Sequence, residues 1–208
     1  MAEAPLVHVV DDDASVRESL GFLLEAAGFA VRTYASAAAF LNTASDHTVG
    51  CVVTDVQMPE LSGLELQRRM GELAIRLPVI VMTGHGDVPI AVAALKAGAT
   101  DFLEKPFEDE QLLAAVNHAI AISQQAREAA AAVAEIAARL ATLTPREREV
   151  MERLVAGQPN KTIAYDLGSS PRTVEVHRAR VMDKMGARSL AELVRMTIAV
   201  QRAAPSGC

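Results

Sequence analysis

Residues 6–34 read LVHVVDDDASVRESLGFLLEAAGFAVRTY. An apolar run, Leu6–Val10, meets three aspartates, Asp11, Asp12 and Asp13. From Ala14 to Ala27 the apolar residues Val16, Leu20, Leu23 and Leu24 recur at helical spacing. Gly28 stops that helix, and Ala30–Tyr34 is strand-like again. The alternation continues outward. Ala37–Leu41 reads as a short helix, Cys51–Thr54 as a strand, Leu64–Leu73 as a helix and Val79–Met82 as a strand. Val88–Ala97 is a helix ended by Gly98, Thr100–Leu103 is a strand, and Asp109 opens another helix. Short apolar strands between amphipathic helices mark a parallel sheet covered on both faces. The first half is therefore expected to be α/β and doubly wound, with right-handed crossovers.

The second half changes character. Between Glu108 and Thr144 there is neither Gly nor Pro, and residues 127–141, REAAAAVAEIAARLA, are rich in helix formers. Leu112, Ala115, Ala119, Ile122, Ala126, Ala129, Val133, Ile136, Leu140 and Leu143 follow steps of three and four, which is a heptad seam. A helical linker is expected, either paired with a second copy as a coiled coil or lying as a single helix against a domain. Four helices follow. Thr144-Pro145-Arg146-Glu147 is a capping box with Pro at the first helical position. Asn160 precedes the short KTIAYDL, which Gly168 ends; Ser170-Pro171 opens a longer helix to about Met185, and Ser189 opens the last. A short helix, a turn with Gly and a longer helix form the helix-turn-helix pattern. The expected division is a domain over 1–122, a helical linker over 123–140 and an all-α domain over 141–208.

Composition narrows the class. Half of the residues are apolar and 22% are charged, which excludes a disordered chain. With five Phe, two Tyr and no Trp, the core must be built from Ala, Val, Leu and Ile. No window is apolar and long enough for a membrane helix, and MAEAPLVHVVDDD lacks the basic start of a secretory signal. Cys51 and Cys208 are too few for a disulfide framework, so a cytoplasmic, reducing location is expected. The net charge of −6 argues at face value against nucleic acid. The average conceals a split: residues 1–123 hold 7 Lys and Arg against 17 Asp and Glu, whereas residues 124–208 hold 13 against 9. An acidic half followed by a basic half suggests two tasks.

The acidic task is legible at the strand ends. Asp11 and Asp12 directly follow the first strand, Asp55 the third and Thr83 the fourth, while Lys105 lies two residues past the fifth. In open α/β sheets ligands bind at that edge. Three converging carboxylates repel one another and need a cation, and oxygen-only ligation suits Mg²⁺. A carboxylate beside a divalent metal is a nucleophile for phosphorus, with the metal and an ammonium neutralising the phosphoryl oxygens. A hydroxyl at Thr83 is placed to bond one of those oxygens. Any one of these residues alone is a common turn former or cap, the role assigned to Asp13. Their conjunction is the specific signal.

The segments VVDDD (9–13), TDVQMP (54–59), VMTGHGD (81–87) and EKPF (104–107) resemble the receiver domain of two-component response regulators. The resemblance implies a flavodoxin-like (βα)5 fold with strand order 2-1-3-4-5. It implies that Asp55 is the phosphoacceptor, that Asp11 and Asp12 form the acidic pocket, and that Mg²⁺ takes Asp12, Asp55 and the backbone carbonyl of Gln57. Lys105 matches the family's lysine, and its bond to Pro106 is expected to be cis. Thr83 and Phe102 fill the switch positions; Phe102 stands where Tyr is frequent, so reorientation there is a packing event, unless Phe102 is plain core. The glycines of Thr83-Gly84-His85-Gly86-Asp87 ease backbone rearrangement. His85 has no paired carboxylate or serine and reads as a loop residue; His8, His47 and His118 are scattered, and Cys51 reads as a buried core residue.

The basic task lies on the helix that starts near Pro171. At 100° steps, Val174, Val181 and Met185 fall on one face; Arg172, Val176, Ala179 and Asp183 lie opposite, flanked by Glu175 and Arg180. In a major groove, Val176 and Ala179 suit thymine methyls and Arg172 and Arg180 suit guanine edges or phosphates; Glu175 either accepts from a cytosine amino group or limits nonspecific binding. Exposed apolar residues are also common on any surface. Thr173 lies in the same segment, and Lys161, Arg178, Lys184 and Arg188 read as phosphate contacts or solvated charges. LTPREREV (143–150), NKTIAYDLGSSPRTVEVHRARVMDKM (160–185) and RSLAELVRM (188–196) resemble the LuxR-type helix-turn-helix. The whole chain is thus similar to the NarL/FixJ family, with loops nearest the FixJ-like subgroup.

That resemblance implies a regulator, not an enzyme. A sensor histidine kinase phosphorylates Asp55, the protein forms a homodimer on phosphorylation, binds double-stranded promoter DNA and recruits RNA polymerase as an activator. The subgroup acts on nitrogen-fixation or microaerobic genes. Two rivals remain: an aspartyl-phosphate phosphohydrolase, which typically has a second acid where this chain has Gln57, and a phosphate-independent transcription regulator.

Overall fold

The computed structural model of the chain describes residues 4–43, 49–84 and 88–203. They form two compact units, one ending at Arg127 and the other starting at Glu128. The first unit contains the strands β1 (Leu6–Val10), β2 (Ala30–Tyr34), β3 (Gly50–Asp55), β4 (Val79–Thr83) and β5 (Asp101–Glu104). Its helices are α1 (Ala14–Ala26), α2 (Ala37–Leu41), α3 (Gly63–Glu72), α4 (Val88–Lys96) and the start of α5 (Asp109–Ala141). The strands are parallel in the order β2-β1-β3-β4-β5, the order that the receiver resemblance implies.

Alternation along the strands builds two cores. Val7 and Val9, Cys51 and Val53, and Ile80 and Met82 point to one face, where Leu20 and Leu24 of α1 and Leu112, Val116 and Ala119 of α5 cover them. Val10, Val52, Val79 and Val81 point to the other, under Phe40, Leu66, Met70 and Ala94. Both faces being dry over the central strands, β1, β3 and β4 are mostly apolar, and each large side chain buried this way contributes about 1.5–3 kcal/mol. Gly28 and Gly98 take φ of 91° and 96° just past α1 and α4, a left-handed turn that favours glycine.

The strand ends run slightly further than their apolar runs. Asp55 and Thr83 are the last residues of β3 and β4 and not the first beyond them, because the ladder continues to pair Asp55 with Met82 and Thr83 with Glu104. β5 likewise reaches Glu104, so Lys105 follows it directly.

The second unit holds α6 (Pro145–Val155), α7 (Asn160–Asp166), α8 (Pro171–Met185) and α9 (Leu190–Ala203). The capping box at α6 forms in full: Thr144 accepts from the Glu147 amide and Glu147 accepts from the Thr144 amide. Ser170 caps α8 by accepting from the Thr173 amide. Asn160 is not a cap: it is the first helical residue of α7, and Pro159 precedes it without a side-chain capping bond. Val150, Leu154, Ile163, Ala164 and Val174 form one core cluster; Leu143, Met151, Val181, Met185 and Leu193 form another.

Helix α5 runs unbroken for 33 residues, as its composition predicts. The heptad seam divides into three parts. Leu112, Ala115 and Ala119 are buried in the first unit, while Ile136 and Leu140 pack on the core of the second. Between them, residues 124–132 are exposed on every side. Much of the seam thus reflects two separate cores on one helix.

Candidate functional site

Parallel, in-register pairing brings the C-terminal ends of β1, β3, β4 and β5 to one edge of the sheet. The Lys105 ammonium links the acids there, 2.6 Å from Asp55 Oδ1 and 3.2 Å from Asp11 Oδ2. Asp11 is 2% and Asp55 8% exposed, so each carboxylate has exchanged most of its water for protein donors. Asp55 Oδ2 accepts the Gln57 amide at 2.6 Å, and Asp11 Oδ1 accepts the Asp13 amide at 2.9 Å. Burial works against the Lys105 charge, but the hydrogen bonds and charges of Asp55 and Asp11 outweigh it and hold its pKa above the ordinary lysine value. The result is a fixed carboxylate at the mouth of the sheet with a cation beside it. That arrangement suits nucleophilic attack on a phosphoryl group whose oxygens need neutralising.

The other expected residues take varied places. Asp12 is exposed beside Asp11, and among the described residues no three His, Cys, Asp or Glu side chains converge as a ready-made metal cage. The donors present are hard oxygens, which fits Mg²⁺, a cation that commonly uses one or two carboxylates and keeps several waters. Asp13 caps α1 through the Ser15 amide and hydroxyl, which also hold its carboxyl below the usual range. Thr83 is buried, and its hydroxyl donates to the Gly84 carbonyl at 3.3 Å. His85, Gly86 and Asp87 lie outside the described residues, as do His47 and Cys208. The Lys105–Pro106 peptide is cis.

Phe102 is not core. On the edge strand β5 Leu103 turns inward, so Phe102 turns outward and is 39% exposed, as are Val92 and Leu95 of α4 at 45% and 44%. His8 is buried on β1 against Tyr34 and Phe40; burial, helped by Arg32, lowers its pKa to about 4 and keeps it neutral. His118 is exposed. Burial pushes the Cys51 thiol up to about 12, so it is an inert core residue.

Two residues of this site escaped the sequence reading. Arg17 donates from Nη1 to the carbonyls of Asp11 and Asp12 at 2.8 and 2.9 Å, holding the acidic turn in place. A cation in the first turns of a helix opposes the helix dipole, and that misfit was the available signal. Gly63 opens α3 directly against Asp55: a Cβ there would run into the Asp55 carbonyl oxygen.

In the second unit, Val174, Val181 and Met185 are buried as the helical projection requires. Arg172, Thr173, Glu175, Val176, Ala179 and Arg180 are all exposed on α8, and Lys161 is exposed on α7. Thr173 also lies 2.9 Å from Ser170 through their hydroxyls. Lys184 is not a free solvated charge. Its ammonium donates to Glu147 Oε2 at 2.6 Å and to the Thr142 carbonyl at 3.0 Å. The exposed surface of α8 carries Arg172, Thr173, Glu175, Val176, Ala179, Arg180 and Asp183, a mix of donors, acceptors and small apolar side chains of the kind that can read a DNA groove.

Comparison with known proteins reaches into both units. Residues 7–117 match the response regulator receiver domain, and residues 141–197 match the bacterial regulatory proteins of the luxR family. The chain is 56% identical over 198 residues to the transcriptional regulatory protein FixJ of Azorhizobium caulinodans, covering 95% of this chain and 94% of that one. It is 55% identical to FixJ of Rhizobium meliloti over 193 residues, covering 93% and 95%. Among solved structures, response regulator StyR superimposes with a TM-score of 0.82 at 41% identity, covering 94% of this chain and 99% of that one. Full-length FixJ from B. japonicum gives 0.59 at 50% identity, covering 97% and 99%. Likeness of this depth along both halves makes the chain a member of the response regulators, in the FixJ-like group that joins a receiver to a LuxR-type DNA-binding domain.

Proposed function

We propose that Asp55 is the residue on which this regulator is switched. The observation that carries this reading is the Lys105 ammonium, 2.6 Å from Asp55 and 3.2 Å from Asp11 at the sheet edge. A sensor histidine kinase donates the phosphoryl group; an oxygen of Asp55 forms the new P–O bond as the bond to the kinase histidine breaks. Asp11, Asp12, Asp55 and the Gln57 carbonyl would hold Mg²⁺, which would supply neutralisation of the phosphoryl oxygens. Lys105 stabilises the product's charge, and the Thr83 hydroxyl leaves the Gly84 carbonyl for a phosphoryl oxygen. The group adds a charge of about −1.5 to −2. Phe102, already at the surface, reorients into the space that Thr83 releases.

Phosphorylation favours a homodimer, which presents two copies of α8 to half-sites about one DNA turn apart. Arg172, Thr173, Glu175, Val176, Ala179 and Arg180 read the groove, Lys161 meets a phosphate, and the bound dimer recruits RNA polymerase in the cytoplasm to activate transcription. In this reading residues 1–122 are the receiver, 123–140 the linker and 141–208 the output domain. The targets in this reading are nitrogen-fixation or microaerobic genes, as the FixJ-like resemblance implies. No helix among the described residues is long and apolar enough to cross a membrane. Gln57, in the place where a phosphohydrolase typically carries its second acid, weighs against turnover of phosphate esters.

The test is DNA retention with and without acetyl phosphate, in the wild-type chain and Asp55→Asn. Phosphate-dependent retention lost in Asp55→Asn is expected; phosphoryl uptake by Asp55→Asn overturns the assignment.

A further inference from the structure

Four cationic side chains of the second unit donate to main-chain carbonyls at helix C-termini. Arg146 donates to the Leu167 carbonyl at the end of α7. Arg148 donates to Leu140 at 2.9 Å, and Lys184 to Thr142 at 3.0 Å, both at the end of α5. Arg139, on the last turn of α5, donates from Nη1 to the carbonyl of Met185, the final residue of α8, at 2.9 Å. The last carbonyls of a helix have no intrahelical partner and carry the negative end of its dipole, so a cation there is held by both effects.

Arg139 occupies a built setting. Glu135, one turn earlier on the same helix, fixes the other arm of the guanidinium at 2.6 Å. Gly186 follows Met185 in the left-handed region at φ 67°, and a Cβ there would lie 2.7 Å from Arg139 Nη1. The guanidinium therefore sits close against the backbone of the α8 cap, where the left-handed φ favours glycine. Ile136 and Leu140 pack beside it, against the cluster that holds Val181 and Met185.

We infer that Arg139 is a positioning residue for DNA recognition: from the linker helix it fixes the C-terminal end of α8 and so sets how the exposed face of that helix meets the groove, without touching DNA itself. The inference rests on the reading of α8 as the DNA-reading helix. A helix of 15 residues is about 22 Å long, so a small shift of its C-terminal end is carried to the side chains at the other. Those side chains, from Arg172 onward, are the ones placed to reach base edges.

The test is a titration of the full chain, treated with acetyl phosphate, against duplex DNA selected from a random-sequence library with the wild-type protein, at several salt concentrations. Arg139→Ala is expected to weaken binding by about three- to tenfold, the net scale of one hydrogen bond lost at a partly exposed site. The slope of log affinity against log salt should stay unchanged, because no phosphate contact is lost. Arg139→Lys should recover most of the loss, since an ammonium still donates to the Met185 carbonyl. Unchanged affinity in Arg139→Ala overturns the inference. So does a slope flattened by about one charge, which would make Arg139 a phosphate contact. So does a loss that tracks thermal unfolding of the C-terminal unit and is not recovered by lysine. Should Arg139→Ala not fold, Glu135→Gln removes only the partner that aims the guanidinium; weaker binding at constant slope supports the inference and unchanged affinity overturns it. Arg172→Ala in the same titration separates the two readings: if it too is silent, the assignment of α8 fails, and if it alone weakens binding, only the role of Arg139 fails.

Discussion

The Lys184 ammonium lies 2.6 Å from Glu147, a carboxylate only 3% exposed, so the last turn of α8 is ionically bound to the first turn of α6. The same Glu147 closes the capping box with Thr144. The Lys184 hydrogen bond, followed by the Thr144 amide, lowers the Glu147 pKa from its ordinary 4.5 to about 2. A carboxyl with a depressed folded-state pKa stabilises the fold when ionised. Its contribution is complete above pH 4.5 and is lost as the pH falls through about 2. Thermal unfolding of the C-terminal unit should therefore shift to lower temperature on acidification across that window. Glu147→Gln should be less stable at neutral pH and show a flatter acid limb. An unaltered limb would remove the pair from the account.

Gly63→Ala should damage the receiver from the inside. The added methyl meets the Asp55 backbone, which belongs to a fully buried strand and cannot yield cheaply. A cost of about 1–3 kcal/mol is expected, as for other overpacked sites. Phosphoryl uptake should slow with it. Chemical denaturation and labelling with acetyl phosphate measure the two effects.

Arg17→Ala should leave the receiver folded and slow its labelling. Arg17 holds the carbonyls of Asp11 and Asp12 but makes no contact with Asp55. A roughly tenfold slower uptake is expected, equivalent to about 1.4 kcal/mol, close to the worth of one hydrogen bond to a charged group. Labelling at the wild-type rate would show that the acidic turn holds its shape unaided.

Arg172→Ala should weaken DNA binding by about 1–3 kcal/mol if the guanidinium reads a base, and flatten the salt slope by about one if it meets a phosphate. Phosphorylation of Asp55 should be unaffected, since the two residues belong to separate units.

The strands and helices of the first unit were legible because both faces of the sheet are dry, so burial wrote continuous apolar runs into β1, β3 and β4. The strand-end acids and Lys105 were legible because topology alone carries them to one edge. Arg17 and Gly63 were not, since both act on main-chain atoms, and a backbone contact leaves no pattern in side-chain types. Phe102 is ambiguous for a different reason: an aromatic in a strand reads as core until the strand is known to be an edge. Lys184 shows the limit of counting charges. It looks like the other cations of α8 in sequence, and only the fold reveals that it is bound to Glu147.

Residues 124–132 of α5 are helical yet exposed all round, with the helix anchored before them by Ser123, whose hydroxyl accepts from the Gly50 amide at 3.2 Å, and after them by Ile136 and Leu140. These exposed residues bury little apolar surface; the alanines among them favour the helix by intrinsic propensity, and isolated helices that short are marginal in water. Its backbone hydrogen bonds should therefore open locally, far below the free energy that unfolds either unit. Amide hydrogens of 124–132 should exchange with solvent well before those around Val116 and Ala119, and a protease should cut there first, releasing two intact halves.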